Sequence, residues 1–232
     1  MFNREITMTV TDTSVSPKPS RSPDTPVVYV VDADPFVRAE LEALIRTAGW
    51  LPRTAASAEE FLARPRIVGP SCLLVELKLE GMSGLDLQRL VRDRAELPLI
   101  FMSSHIDVPA TVQAMKGGAL EFLAKPLSRE VLVEAISQAI ERSHAALSQL
   151  AQVGALQQRF ESLSRREKDV MGLVITGRLN KLVAADLGIS VITVKAHRGK
   201  MMRKMKAGSL LELASMVGKL RLGVGGAPAT NA

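Results

Sequence analysis

The sequence predicts an α/β domain with a five-stranded parallel sheet, followed by a smaller all-α domain built on a helix-turn-helix. Three observations predict it. Between residues 27 and 128, short apolar runs alternate with helix-start signals, the pattern of a parallel sheet covered on both faces. Between residues 163 and 205, three helix starts are separated by Gly177 and Gly188. The charge divides the same way. Residues 163–222 hold 13 Lys and Arg against 4 Asp and Glu, whereas residues 27–128 hold 11 against 13. The chain's net charge of +6 thus comes from its second half, and nucleic acid is the natural partner of that half alone.

A chain of 232 residues, 47% of them apolar, accommodates two small domains with separate cores. Its apolar runs are too short for a membrane span and its N-terminus lacks a signal-peptide core, so a cytoplasmic location without a membrane partner is expected. One Cys excludes an intramolecular disulfide framework. Three His and one Cys leave no zinc cluster. Cys72 lies in the apolar run CLLV and is expected to be a buried core thiol rather than a redox sensor.

Residues 1–25, rich in Thr, Ser and Pro, are expected to be a mobile tail. The first domain is placed at 26–128. VVYVV at 27–31 is a continuous apolar run suited to a strand buried on both faces. Pro35 opens a helix to Ala48, which Gly49 ends. A short strand near Leu51–Thr54 precedes the capping box Ser57-x-x-Glu60 and a second helix. Cys72–Glu76 is another buried strand, and the loop with Gly81 and Gly84 leads to a helix from about Leu85 to Asp93. Leu99–Met102 is a strand, Val108–Lys116 a helix and Glu121–Leu123 the last strand, with Ser128 capping the next helix.

In such a sheet, function gathers beyond the C-terminal ends of the strands. Asp32 and Asp34 follow the first strand, and Glu76 ends the third. Ser103 and Ser104 follow the fourth, and Lys125 with Pro126 follows the fifth. Carboxylates and a Lys around a hydroxyl suit a cation and a phosphoryl group, or else a structural ion-pair network at a loop-rich edge.

The stretches VYVVDADPFVR, CLLVELKLEGMSGLDL and FMSSHIDVPATVQAMKGGALEFLAKPL resemble a response-regulator receiver of the CheY-like fold. The resemblance implies two adjacent acids after the first strand, a phospho-acceptor Asp ending the third, Ser or Thr ending the fourth, and a Lys before a Pro. It also implies an aromatic three residues before that Lys, reporting the active state. Asp32, Ser103, Phe122 and Lys125 match, but Ala33 replaces the second acid and Glu76 stands at the phospho-acceptor position. By the same resemblance, Mg²⁺ would be held by the acid missing at Ala33, the residue at 76 and the carbonyl of Lys78, which leaves at best a degenerate site of Asp32, Glu76 and Lys78. Mg²⁺ demands near-octahedral oxygens, and a missing carboxylate beside a longer arm meets that demand poorly. Asp34 is a candidate substitute ligand, although the family often carries an acid there. No cofactor, no phosphorylation and no cognate sensor kinase are therefore expected. Two readings of Glu76 stay open: it reaches toward Ser103 and Lys125 in place of a phosphoryl oxygen and favours the active state, or it pairs with Lys125 in a decayed site.

Residues 129–162 are expected to form a helical linker that includes the last receiver helix, with Gly154 as its one breaker. Leu132, Ile136, Ala139 and Ile140 give it a receiver-facing stripe.

The second domain is placed at 163–222. Ser164-x-x-Glu167 is a capping box for a helix that stops by Gly177. Asn180–Leu187 is a second helix closed by Gly188, and Ser190 caps a third from about Val191 to Met205. Val194, Met201 and Met205 make the third helix's apolar stripe. Lys195, Arg198, Gly199, Met202, Arg203 and Lys206 fall largely off it, with His197 at the boundary and Lys200 a further candidate DNA contact. Gly199 leaves that surface bare, and Arg and Lys suit phosphates and guanine edges. The segment, with its matches at Leu163-Ser164, Glu167, Asn180-Lys181, Leu187-Gly188-Ile189-Ser190, Thr193-Val194-Lys195 and His197-Arg198, resembles the DNA-binding domain of LuxR/FixJ-type regulators. The resemblance implies that Lys195 and its neighbours enter the major groove while Lys181 and Thr193 hold the backbone. Ser209-x-x-Glu212 starts a last helix, which in that family often pairs with a second subunit, and residues 223–232 are expected to be loose.

Together these readings predict a bacterial transcription regulator and no enzyme. Promoter DNA and a second copy of the chain are its expected partners, with RNA polymerase a further candidate. A conventional phosphorylation-switched regulator and a protein-interaction adaptor using residues 27–128 are the alternatives.

Overall fold

The computed structural model describes residues 25–66, 68–105 and 107–224, with side chains through residue 220. The expected tail at 1–25, apart from Thr25, and the part of the expected tail at 223–232 beyond Val224 lie outside the described residues. Among the described residues, no helix is long and apolar enough to cross a membrane.

The first half alternates β1 (Val27–Val31), α1 (Pro35–Thr47), β2 (Leu51–Ala55), α2 (Ala58–Ala63), β3 (Ser71–Glu76), α3 (Gly84–Val91), β4 (Leu99–Ser103), α4 (Val108–Lys116) and β5 (Glu121–Ala124). The five strands form one parallel sheet in the order β2-β1-β3-β4-β5. β1, β3 and β4 are buried along their whole length, which is why their sequences are continuous apolar runs rather than alternating ones. A core of Val28, Val30, Leu74, Ile100 and Met102 from the strands meets Leu41 and Ile45 of α1 and Leu132, Ile136 and Ala139 of α5 (Arg129–Glu161).

Local chemistry sets where the helices begin. Asp34 caps α1 by accepting from the Phe36 N–H, with Pro35 in the first turn. Ser57 caps α2, but Glu60 accepts from Ala56 N rather than from Ser57 N, so the expected reciprocal box is shifted by one donor. Ser83 and Asp86 form a full capping box at α3, which starts one residue earlier than expected. Gly84 is there for space: a Cβ would stand 2.7 Å from the Glu76 carbonyl oxygen and 3.0 Å from the Phe101 ring. The turn into α3 is thus packed directly on the end of β3.

α5 runs for 33 residues and passes through Gly154 unbroken, so the expected breaker does not break it. The chain divides into two compact units, the boundary within this helix falling after Ile140, and the second unit also takes Asp93–Pro98. The first unit keeps the start of α5 because Leu132, Ile136, Ala139 and Ile140 belong to its core.

The second unit carries α6 (Arg165–Val174), α7 (Asn180–Leu187), α8 (Val191–Met205) and α9 (Leu210–Val224). The Ser164 and Glu167 capping box opens α6 with both hydrogen bonds present. Gly188 closes α7 at φ +64, a left-handed conformation that glycine adopts without a Cβ penalty. Ser190 accepts from Thr193 N and starts α8. Val170, Met171, Val183, Val194, Met201, Met205 and Leu213 form the shared core, as the stripe on α8 predicts. α9 extends to Val224, two residues into the segment expected to be loose.

Candidate carboxylate–lysine site and nucleic-acid interface

The parallel sheet delivers four side chains to one edge. Asp32 follows β1, Glu76 ends β3, Ser103 ends β4 and Lys125 follows β5. Lys125 Nζ lies 2.6 Å from Asp32 Oδ2 and 2.5 Å from Glu76 Oε2. Asp32 and Glu76 are 2% and 9% exposed, so both carboxylates are removed from water and this one ammonium is their shared counterion. Burial opposes the charge on Lys125, but its hydrogen bonds to Asp32 and Glu76 and their attraction outweigh that and hold its pKa above the ordinary lysine value.

The remaining carboxylate oxygens are also occupied. Asp32 Oδ1 accepts from Asp34 N at 2.9 Å, and Glu76 Oε1 accepts from Lys78 N at 3.3 Å. Asp34 spends its own Oδ1 on the α1 cap and is exposed, so it is not turned into the cluster. Ala33 is exposed and adds no side-chain oxygen. Ser103, 1% exposed, donates to His105 O and accepts from His105 N, which commits its hydroxyl to its own loop. Glu76 meets Lys125, a contact that both readings of this residue contain. Phe122 is half-buried, with its ring 6.3 Å from that of Phe101.

Mg²⁺ does not fit these residues as they stand. Mg²⁺ takes one or two carboxylates and completes its octahedron with other oxygens, but each oxygen of Asp32 and Glu76 already faces the Lys125 ammonium or a backbone N–H, which the ion would have to displace. Among the described residues, no group of three His, Cys, Asp or Glu is placed to hold a metal ion.

Arg38 is a member of this edge that sequence reasoning missed. Its guanidinium donates to Asp32 O at 2.6 Å and to Ala33 O at 2.8 Å, pinning the loop after β1. A signal was present: Arg in the first turns of a helix is disfavoured by the helix dipole unless it has another partner. Cys72 is buried in the core, and burial pushes its thiol well above the ordinary range, as expected of an inert thiol.

In the second unit, α8 buries Val194, Met201 and Met205 and turns Lys195, Lys200 and Arg203 outward. Thr193, His197, Arg198 and Gly199 are half-buried on the same helix, and Lys181 is exposed on α7. A Cβ at Gly199 would meet nothing nearer than Arg203 Nη1 at 3.9 Å. The fold itself therefore does not require glycine there, although glycine inside a helix costs about 1 kcal/mol relative to alanine.

Two side chains fix α8. Arg198 donates to Asn180 Oδ1 at 3.2 Å, joining it to the start of α7. Lys204 Nζ lies 2.7 Å from Glu167 Oε2 and 2.9 Å from Ser162 O, joining its end to the start of α6. The Lys204 hydrogen bond is the main cause holding the Glu167 carboxyl below its ordinary value, against the effect of burial. Thr193 Oγ1 is hydrogen-bonded to Ser190 Oγ.

Comparison with known proteins covers both halves. Residues 28–137 match the family described as response regulator receiver domain, and residues 161–217 match bacterial regulatory proteins of the luxR family. Nodulation protein W of Bradyrhizobium diazoefficiens is 44% identical over 191 residues, which is 82% of this chain and 84% of that one. The transcriptional regulatory protein FixJ of Rhizobium meliloti is 38% identical over 82% of this chain and 93% of its own. Among solved structures, the response regulator StyR superposes with a TM-score of 0.74 at 39% identity, covering 84% of this chain and 99% of that one.

Proposed function

The chain belongs to the response regulators that join a receiver domain to a LuxR-type DNA-binding domain, and on that premise we propose that its receiver works without taking a phosphoryl group. It is a DNA-binding transcriptional regulator. The observation that carries the proposal is Lys125, held between Asp32 and Glu76 at 2.6 and 2.5 Å.

In-line phosphoryl transfer depends almost wholly on a positioned nucleophile and neutralised charge. Glu76 carries one more methylene than an Asp, about 1.5 Å of extra reach, and that reach is taken up by Lys125. Ala33 supplies no second acid, so nothing draws Asp32 away from the ammonium. The receiver is accordingly held in one arrangement, two carboxylates on a single ammonium, and Glu76 serves as the lock rather than as an acceptor.

Lys195, Lys200 and Arg203 face the major groove. Lys181 and Thr193 hold the phosphate backbone, with His197 at the edge of the contact. Two copies occupy the two halves of a two-fold promoter site. The direct test is intact-mass measurement after exposure to a small phosphodonor with Mg²⁺: an unmodified chain is expected, and labelling at Glu76 would restore the phosphorylation-switched alternative.

A further inference from the structure

The outward stripe of α8 begins with a residue that neither charge nor capping explains. Ile192 is 80% exposed in the first turn of the helix. At roughly 100° per residue it lies nearly opposite Val194, which is fully buried. A β-branched residue is not a strong helix former, and this one is almost wholly left in water. By the same helical geometry Lys195, Ala196, Gly199 and Arg203 fall on its side, within a sector of about 100°. Ala196 is exposed, and Gly199 is glycine although the fold has room for a side chain. The stripe therefore runs from a branched apolar group over two nearly bare positions, with Lys195 and Arg203 alongside. Cations alone would suit a surface that binds only phosphates. A bare stripe headed by an exposed branched alkyl group suits the floor of the major groove, where the one apolar feature of a base edge is the C5-methyl of thymine.

We propose that Ile192 is a specificity-determining residue that packs on a thymine methyl in each half-site, with Ala196 and Gly199 leaving room for the base edge to approach. The inference rests on the reading of α8 as the groove-entering helix. It adds that part of the sequence preference is apolar and independent of charge. Removing a contact with one methyl group corresponds to about a fourfold loss of affinity.

The test uses the full-length chain and the duplex it enriches from a random-sequence library, with each thymine replaced in turn by deoxyuridine, which deletes only the methyl. For the parent chain, one thymine per half-site should show a loss of about fourfold. Ile192→Ala should bind the unmodified duplex with a similar loss and become indifferent to that one methyl. Its response to uracil elsewhere should match the parent's, and Ile192→Val should fall between the two. An identical uracil scan for the parent and Ile192→Ala overturns the inference, whether the same methyls matter to both or none does. Lys195→Ala separates the levels of failure. If it destroys the preference while Ile192→Ala leaves the scan unchanged, only the methyl contact is wrong. If no duplex is enriched, or if both variants bind like the parent, the assignment of α8 to the groove falls and the methyl contact falls with it.

Discussion

Lys125 Nζ sits 2.5 Å from Glu76 Oε2, at the point where β3 and β5 bring their ends to the same sheet edge. In that position Glu76 is a partner to the lysine before any phosphodonor arrives. On the proposed reading, phosphoryl chemistry at this site requires two repairs. Glu76→Asp should label little, because Ala33 still leaves the metal one carboxylate short. Ala33→Asp should label little, because the longer acid remains on Lys125. The double variant should label clearly and more than additively, as expected of groups that act as a unit. Labelling of Glu76→Asp equal to that of the double variant would refute the role given to Ala33.

Removing the shared cation should be costly. Lys125→Met leaves Asp32 and Glu76 buried without their counterion and should destabilise the first unit by about 3–5 kcal/mol. Glu76→Gln should cost less, because Asp32 keeps its partner. Trp50, the single tryptophan, packs at the margin of that unit's core and gives the fluorescence signal for urea unfolding. The pKa of Lys125 is raised in the fold, so its stabilisation is complete below the unfolded lysine value of about 10.4. It is lost only as pH rises through the higher folded value. A loss near neutral pH would contradict the pairing.

The opposite sign applies at Glu167. Its pKa is lowered by Lys204, so the stabilisation is present above the unfolded value of about 4.3 and disappears as pH falls through the folded one. Lys204 is 40% exposed, which limits the effect to less than about 1 kcal/mol. Glu167→Gln keeps a residue that can close the capping box but removes the charge. Its helical melting temperature should respond less than the parent's to acid between about pH 5 and 3. Parallel pH curves for the two chains would show that the pair contributes nothing.

On an enriched duplex, Lys195→Ala should weaken binding by about 1–3 kcal/mol and relax the sequence preference. Lys181→Ala should weaken all duplexes alike and reduce the salt slope by about one. Arg198 donates to Asn180, so Arg198→Ala removes a positioning contact as well as any contact with DNA. Asn180→Ala isolates the first effect. If both variants lose the same affinity, Arg198 acts only by holding α7 to α8.

Two copies should occupy half-sites about one helical turn apart, and should do so without a phosphodonor. Sedimentation of the protein–duplex complex reads this directly. A strict 1:1 complex on a two-fold site would exclude it.

The alternation of elements was legible because each signal was local and physical. The buried strands are unbroken apolar runs, and Ser164 with Glu167 marks a helix start within four residues. Gly188 marks an end by its conformation. What escaped depends on side chains meeting across the fold. Arg38 reads as a surface helix residue until the loop after β1 presents it with two carbonyls. Arg198 reads as a DNA contact because Asn180 lies eighteen positions away in another helix. Ser103 was placed at the correct strand end, but its choice of His105 depends on loop geometry that no spacing encodes. Gly154 leaves the continuity of the linker helix open in the sequence, and the helix is continuous because one glycine costs it only about 1 kcal/mol, which the neighbouring turns absorb.

The parallel sheet also has a consequence for the chain as it is made. Every ladder between its strands closes over an intervening helix, and a ribosome releases those strands one after another. β3 can pair with β1 only once Glu76 is out, and its other side must wait for Leu99–Ser103. During that interval the edge of SCLLVE, buried throughout in the finished molecule, faces solvent. Slow emergence of residues 77–98 thus lengthens the period in which the nascent chain is prone to aggregate, whereas the short helices that follow close on near neighbours.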